Sequence, residues 1–90
     1  MSEVRNNEAE SRFEIEEEGA LAFASYDLSD GRIAFTHTIV PVEVEGRGVG
    51  SRLIGGALEE ARSRGLKVVP LCSFVRGYIE RHPETQDLVA

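Results

Sequence analysis

The sequence predicts a small α/β (α+β) fold, in which an antiparallel meander leads into a β-α-β unit with a parallel strand pair and a C-terminal helix. Three observations predict it. Two apolar segments meet at an Asp-Gly turn, a glycine-rich loop separates a strand from an amphipathic helix, and a second strand and helix follow. With 90 residues, the chain is long enough for one compact core and too short for two domains.

The first predicted strand follows a polar N-terminal segment. Residues 1–12 are polar and lack periodicity, so we expect a flexible tail there and a single domain over residues 13–90. Apolar and charged residues alternate from Phe13 to Glu16, as they do in a strand with one buried face.

A hairpin is predicted next. Residues 20–28 are mostly apolar, and Asp30-Gly31 provides a turn because glycine tolerates a positive φ. Residues 32–40 return as a strand rich in β-branched and aromatic side chains. Because side chains alternate along a strand, four residues of this segment are predicted to share one face: Ile33, Phe35, His37 and Ile39.

The second half of the chain supplies the β-α-β unit. After the glycine-rich loop, apolar residues recur at helical spacing up to Gly65, a natural helix terminator. Residues 66–71 form a short apolar strand, and a right-handed crossover places it parallel to the strand over residues 32–40. Ser73 is predicted to cap a last helix from Phe74 to Arg81.

The charge is acidic overall and locally basic. The net charge is −6, whereas basic residues outnumber acidic ones from residue 45 to residue 67. This distribution argues against general nucleic-acid binding and fits a site for a polyanionic small molecule, although a solvated helix face would explain the arginines equally well. The single cysteine excludes an internal disulfide, and no apolar run approaches membrane-spanning length. We therefore expect a cytoplasmic protein without a membrane partner.

The loop Gly46-Arg47-Gly48-Val49-Gly50, between a strand and a helix, is typical of a phosphate site. Glycines let the main chain approach an anion, and the first turn of the helix offers unpaired N–H groups and the positive end of its dipole. Three side chains could donate further hydrogen bonds, namely those of Ser51, Arg47 and Arg52.

Two common nucleotide sites are excluded by their context. A P-loop requires a Gly-Lys-Ser/Thr sequence, and Gly50-Ser51-Arg52 contains no such lysine. A Rossmann dinucleotide site expects its loop after the first strand and an acidic residue at the end of the second. Here the loop follows an antiparallel meander, and only one strand comes after it.

From Phe13 to about Pro83, the chain resembles the GNAT superfamily of N-acetyltransferases. The resemblance rests on the meander, on residues 46–53, and on Pro70-Leu71-Cys72-Ser73-Phe74 with Tyr78. More narrowly, Thr36-His37-Thr38 and Arg81-His82-Pro83-Glu84 resemble the very small GNAT-like proteins of the YjdJ type.

This resemblance implies an acetyl-CoA-dependent N-acetyltransferase, with acetyl-CoA as cosubstrate and an amine acceptor that is a small molecule or a protein. It implies that the loop amides bind the CoA pyrophosphate, and that an N–H group near Val40 or Val42 stabilises the developing oxyanion. The CoA-binding residues implied in this way are Val40, Val42, Phe74 and residues 46–52. No metal site is predicted.

Three residues are candidates for the chemistry. Cys72 follows the second parallel strand and could accept the acetyl group as a nucleophile, with His37 on the facing strand as its base. Tyr78 resembles the tyrosine that many GNAT enzymes place near the CoA sulfur as general acid. Each has a purely structural alternative, as a buried cysteine, a core histidine and an amphipathic core tyrosine. Direct transfer without an acyl-enzyme is the usual GNAT route.

Two departures from the GNAT pattern define an alternative function. Glu45 stands where the pattern has Arg or Gln, and a carboxylate there would repel the pyrophosphate. The sequence also shows neither the N-terminal helices nor the C-terminal strand pair that shape the acceptor site in full-size enzymes. A non-catalytic acyl-CoA-binding or regulatory module is therefore the alternative, and a plain interaction domain is a third possibility.

Overall fold

The computed structural model describes residues 3–90, which form one five-stranded sheet and two α-helices. The strands are β1 (Arg5–Asn7), β2 (Arg12–Glu17), β3 (Ala20–Ser29), β4 (Arg32–Ile39) and β5 (Lys67–Pro70), and the helices are α1 (Val49–Ser63) and α2 (Ser73–Arg81). Short 3₁₀ helices cover Glu8–Glu10, Val42–Val44 and Pro83–Leu88. Within residues 3–90, no helix is both long and apolar enough to cross a membrane.

The strands lie in the sheet in chain order. Neighbours from β1 to β4 are antiparallel, and β5 is parallel to β4. The predicted meander, the β-α-β unit with its parallel pair, and the C-terminal helix are therefore confirmed.

The prediction of a flexible tail over residues 1–12 is wrong for residues 3–12, the part of this segment that the structure describes. β1 pairs with β2 as an edge strand, and β2 already begins at Arg12. Polar contacts hold this edge, because Asn6 accepts a hydrogen bond from the Tyr26 hydroxyl at 2.6 Å and donates one to Glu60 at 2.9 Å. Such side chains leave no hydrophobic period in the sequence, so periodicity misses the strand. Residues 1 and 2 lie outside the described part of the chain.

Both helices pack on the same face of the sheet, which we call the covered face. The strands contribute to it the buried residues Phe13, Ile15, Ala22, Ala24, Tyr26, Ile33, Phe35 and Val68. The ring of Phe13 lies 5.3 Å from that of Tyr26 and 6.1 Å from that of Phe35, measured between centroids. The opposite, open face carries exposed or half-buried side chains, apart from the buried Glu14.

Glycines bring α1 close to its neighbours. A Cβ atom at Gly50 would lie 2.4 Å from the Phe74 ring, and one at Gly55 would lie 2.9 Å from the Tyr78 hydroxyl, both on α2. The glycines of α1, which weaken an isolated helix, therefore allow two helices to pack closely. α2 begins at Ser73 with Cys72 as its N-cap, so the predicted capping role of Ser73 is wrong.

A β-bulge interrupts β4 at Thr36. Ser25 of β3 lies opposite His37, but the next residue of β3, Tyr26, lies opposite Phe35. Thr36 is thus the extra residue of β4, and its hydroxyl donates a hydrogen bond to the Ser25 carbonyl at 3.3 Å. An extra residue in one strand reverses the faces of every residue beyond it.

The bulge makes the predicted face of His37 wrong. Phe35, before the bulge, is buried on the covered face as expected. Beyond it, His37 and Ile39 are exposed on the open face, whereas Thr38 lies opposite the buried Ala24 on the covered face.

Candidate functional site

A pocket of about 530 Å³ lies where β4 ends and α1 begins. The end of β4 forms one wall, the glycine loop and the first turn of α1 form the second, and Phe74 at the start of α2 forms the third. The lining residues are Thr38, Ile39, Val40, Val44, Glu45, Gly46, Gly48, Val49, Gly50, Ser51 and Phe74. The pocket thus opens at the place where the sequence predicts an anion.

The loop presents unpaired main-chain amides to this pocket. Gly46 and Gly48 have φ angles of +83° and +74°, which strain residues with a side chain. Gly48 is the N-cap of α1, and the helical hydrogen bonds start with the Arg52 amide, which donates to the Gly48 carbonyl at 3.0 Å. The amides of residues 49–51 therefore have no acceptor within the helix, and they lie at the positive end of its dipole.

The absence of a side chain at Gly50 is also required here. Its Cβ would overlap the Phe74 ring, so only glycine lets the ring lie against the first turn of the helix. A main-chain surface with amides that have no acceptor within the helix, beside an aromatic ring, can hold an anion next to an apolar group.

The structure divides the predicted coenzyme-binding residues into two groups. Seven of them line the pocket: Val40, Gly46, Gly48, Val49, Gly50, Ser51 and Phe74. Val42, Arg47 and Arg52 do not, and Val42 is 76% exposed.

Both predicted arginines are engaged in ion pairs. Arg47 pairs with Glu18 in the β2–β3 turn, and Arg52 pairs with Glu3 at 2.8 Å and Glu17 at 2.9 Å. The hydrogen bonds that Arg52 donates to Glu17 and Glu3 raise the pKa of Arg52. The positive charge near the loop is thus partly neutralised by the acidic N-terminal half of the chain.

The two parallel strands separate beside the pocket. Their pairing ends at Phe35 and Pro70, after which the Cys72 amide still donates to the Phe35 carbonyl at 3.0 Å. From His37 to Ile39, β4 is paired with β3. This separation explains why Thr38 lines the pocket, a position the sequence does not predict because it depends on the bulge.

Cys72 lies behind Thr38. Its Sγ is 3.3 Å from the Thr38 hydroxyl oxygen, and the side chain is half-buried at the N-terminus of α2. Burial raises the pKa of the thiol, but the Thr38 hydroxyl and the amides of Val75, Phe74 and Thr38 outweigh it, so the pKa of Cys72 is lowered. Sγ forms no capping hydrogen bond of standard geometry, so these amides stabilise the thiolate through their N–H dipoles at the start of α2.

Within residues 3–90, neither of the other two candidate catalytic residues forms a hydrogen bond with Cys72. His37 is exposed on the open face, and its Nδ1 lies 3.3 Å from the hydroxyl of the adjacent Thr36. Tyr78 is 9% exposed, does not line the pocket, and is bounded by Gly55 of α1. Burial, followed by the charges of Glu84 and Glu59, raises the pKa of Tyr78.

Comparisons with known proteins agree with this arrangement. The sequence model of a family described as GCN5-related N-acetyl-transferase matches residues 12–88. The solution NMR structure of a GCN5-like protein from Staphylococcus aureus is similar to the chain, with a TM-score of 0.74 and 34% sequence identity. The match covers 100% of this chain and 91% of that protein. The family match and the similar structure therefore show that the chain belongs to the GCN5-related N-acetyltransferase family.

Proposed function

We propose that this protein transfers an acetyl group from acetyl-CoA to an amine. The observation that carries the proposal is the pocket at the end of β4, where amides of residues 49–51 have no acceptor within the helix. Family membership supports acyl transfer in general. The choice of acetyl-CoA and of an amine acceptor rests on the fit of the pocket to a pyrophosphate and on the family resemblance.

The roles of individual residues follow from their positions. Amides of the first turn of α1 hold the pyrophosphate, and Ser51 adds a hydroxyl at the same pocket. Bound acetyl-CoA supplies the acyl group. Val40 lines the pocket beyond the paired part of β4, so its amide is the candidate donor to the developing oxyanion.

Two routes for the acyl group are distinguished by experiment, because Cys72 does not itself line the pocket but contacts Thr38, which does. In direct transfer, the amine nitrogen attacks the acyl carbon, the carbon–sulfur bond breaks, and the thiolate of CoA leaves. In the second route, the Cys72 thiolate, favoured by Thr38 and nearby amides, attacks the acyl carbon, and the carbon–sulfur bond to CoA breaks with release of the CoA thiolate. The amine then attacks the acyl-cysteine, and the Cys72 thiolate leaves. In the described chain neither His37 nor Tyr78 forms a hydrogen bond with Cys72, so neither is assigned to activate it.

Coenzyme binding is tested by titrating CoA while amide NMR resonances are followed. Residues 46–51 should shift most. Gly48→Ala should weaken CoA binding about tenfold. The left-handed backbone conformation costs a residue with a Cβ atom roughly 1–2 kcal/mol, so alanine distorts the loop. Gly31→Ala is the matched control, since Gly31 has a φ of +77° in a turn away from the pocket. Equal CoA affinity in both variants would contradict the proposed site.

Turnover is tested by mixing acetyl-CoA with a panel of amines and measuring released CoA thiol. Intact mass spectrometry after acetyl-CoA exposure then separates the two routes. An added acetyl group on the wild-type protein that is absent from Cys72→Ser would support the second route. An unmodified wild-type protein that still turns over would support direct transfer.

A non-catalytic acyl-CoA-binding module is the second candidate. Glu45 lines the pocket, where its carboxylate opposes a pyrophosphate, and Tyr78 does not line it as a general acid would. This function predicts that CoA raises the unfolding temperature while no amine in the panel is acetylated. Glu45→Gln should then tighten CoA binding without producing turnover.

A further inference from the structure

The connection between β5 and α2 carries two residues of the candidate site. Cys72 contacts the Thr38 hydroxyl through its Sγ, and the Phe74 ring lines the pocket. The ring lies so close to α1 that a Cβ atom at Gly50 would be 2.4 Å from it. Packed contacts tolerate little displacement, because the attraction between two atoms falls steeply over a gap of about 0.5–1 Å. The position of this connection therefore affects the shape of the pocket.

The main chain of the connection turns away from β4. The pairing of the two parallel strands ends at Phe35 and Pro70. The Leu71 amide then donates to the Val69 carbonyl at 3.1 Å, which is a local hydrogen bond and not a bond to β4. Because proline has no N–H group, Pro70 cannot donate a hydrogen bond that would hold the chain at this turn. The carbonyl groups of the turn therefore need donors from elsewhere.

Arg76 supplies these donors. Its Nη1 donates to the Pro70 carbonyl at 3.1 Å and to the Leu71 carbonyl at 2.8 Å. Its main-chain amide donates to the next carbonyl, that of Cys72, at 3.1 Å. Three consecutive carbonyl groups are thus bonded to one residue, and these bonds tie the connection to the start of α2.

The electrostatics of α2 do not otherwise favour an arginine at this position. Arg76 is the fourth residue of the helix, near the positive end of the helix dipole, where a cation is unfavourable. The first turn contains no acidic residue, and within residues 3–90 Arg76 takes part in no ion pair. The hydrogen bonds to the two carbonyls of the turn therefore account for the placement of the guanidinium group.

Arg76 acts from outside the pocket. It is not among the residues that line the pocket. It follows Phe74 by two residues, and two residues turn an α-helix by about 200°, so the two side chains leave α2 on opposite sides. Any effect of Arg76 on the site is then indirect, through the connection that it holds.

We propose that Arg76 is a positioning residue of the acyltransferase site. By holding the two carbonyl groups of the turn, it keeps Cys72 in contact with Thr38 and keeps the Phe74 ring against the first turn of α1. The part of this inference that concerns coenzyme binding rests on the proposed function. The position of the thiol is independent of it and is tested without a ligand.

Arg76→Met tests the proposal, because methionine keeps an unbranched side chain and removes the donors. The midpoint of the pH profile for Cys72 alkylation by iodoacetamide should rise, and CoA should bind about three- to tenfold more weakly. Arg81→Met is the matched control, since Arg81 is an exposed arginine in the last turn of the same helix. Equal alkylation midpoints for the two variants would overturn the proposal, as would equal CoA affinities when the wild type binds CoA. A wild-type protein that binds no CoA would instead contradict the proposed function, and the alkylation profiles would still decide the role of Arg76.

Two further variants separate positioning from a general loss of structure. Arg76→Lys should lie closer to the wild type than Arg76→Met in both measurements, because Nη1 alone serves both carbonyls and an ammonium nitrogen also has several donors. In the Thr38→Val background, Arg76→Met should shift the alkylation midpoint less than in the wild type, because the contact that it disturbs is already absent. Full additivity of the two shifts would overturn the proposal.

Discussion

The two faces of the sheet are built from the same strands by different interactions. The covered face consists of apolar side chains sealed by α1 and α2, including Phe13, Ile15 and Phe35 at 1% exposure or less. The open face has a charged cluster near its N-terminal edge, where Arg5 and Arg12 flank Glu14, and the Arg12 guanidinium lies 4.5 Å from the centre of the Phe23 ring. Hydrophobic burial thus stabilises one face, and charge-assisted hydrogen bonds order the other.

The bulge at Thr36 connects this comparison to the proposed function. It moves Thr38 to the covered face, where its hydroxyl meets Cys72, and moves His37 to the open face. In a strand without the bulge, His37 would lie on the covered face and Thr38 on the open face. Four predictions follow from the two faces, beginning with the largest effect.

Phe35→Ala should cause the largest loss of folding stability. Its ring is completely buried on the covered face against Phe13 and Tyr26, so truncation removes apolar contacts and leaves a cavity. We expect the free energy of unfolding to fall by about 3–5 kcal/mol, measured by urea denaturation followed by circular dichroism. Should this variant fail to fold, Phe35→Leu should lower stability by about 1 kcal/mol and keep the test quantitative.

Ile39→Ala is the control for this prediction. Ile39 belongs to the same strand but lies beyond the bulge, where it is 49% exposed. Its truncation should lower the free energy of unfolding by less than about 1 kcal/mol. Comparable losses for Phe35→Ala and Ile39→Ala would contradict the assignment of these residues to different faces.

Glu14→Gln, which changes a residue of the open face, should produce the next largest loss of folding stability. The Glu14 carboxylate accepts hydrogen bonds from Asn7 at 2.9 Å, Arg12 at 2.7 Å and Arg5 at 3.2 Å. Arg5 is 62% exposed, so water weakens part of this cluster. We expect a decrease in the free energy of unfolding of about 1–2 kcal/mol at pH 7.

The same variant has a characteristic pH dependence. Hydrogen bonds from Asn7 and Arg12 hold the pKa of Glu14 below its usual value, against the effect of burial. The ionised group therefore stabilises the fold above the usual carboxyl pKa, and this contribution is lost as the pH falls through the lowered one. The stability difference between wild type and Glu14→Gln should accordingly shrink in acid, and a difference independent of pH would contradict the lowered pKa.

Thr38→Val should change reactivity more than stability. Valine preserves the shape of the side chain but removes the hydroxyl that contacts Cys72 Sγ at 3.3 Å. The pKa of Cys72 should rise, and alkylation by iodoacetamide at pH 7 should slow roughly two- to tenfold. Thr38→Ser keeps the hydroxyl and should react at nearly the wild-type rate. Identical pH profiles for Thr38→Val and the wild type would show that Thr38 does not influence the thiol.

Local signals made the meander and the glycine loop predictable. The Asp30-Gly31 turn, the alternation after Phe13 and the glycines at residues 46–50 each depend on backbone preferences of nearby residues. The pocket that the loop forms with Val40 and Phe74 also follows from chain order, because consecutive parallel strands place their carboxyl ends together.

Features that depend on distant partners were not predictable. The bulge is set by pairing with β3 and by separation from β5, and nothing in Thr36-His37-Thr38 reveals it. The ion pairs that engage Arg47 and Arg52 join residues far apart in sequence. For the same reason, the position of Tyr78 against Gly55 could not be derived from the amphipathic pattern of α2.

His37→Ala should have the smallest effect and gives the strictest test of the two-face comparison. His37 is exposed on the open face, and its one side-chain hydrogen-bond contact in the described chain is with its neighbour Thr36. We expect the free energy of unfolding to change by less than about 0.5 kcal/mol and the pH profile of Cys72 alkylation to match the wild type. If the alkylation profile moved as in Thr38→Val, His37 would have to reach the thiol, and the bulge would not separate the two residues. Comparing the two neighbouring variants therefore tests whether the bulge assigns contact with Cys72 to Thr38.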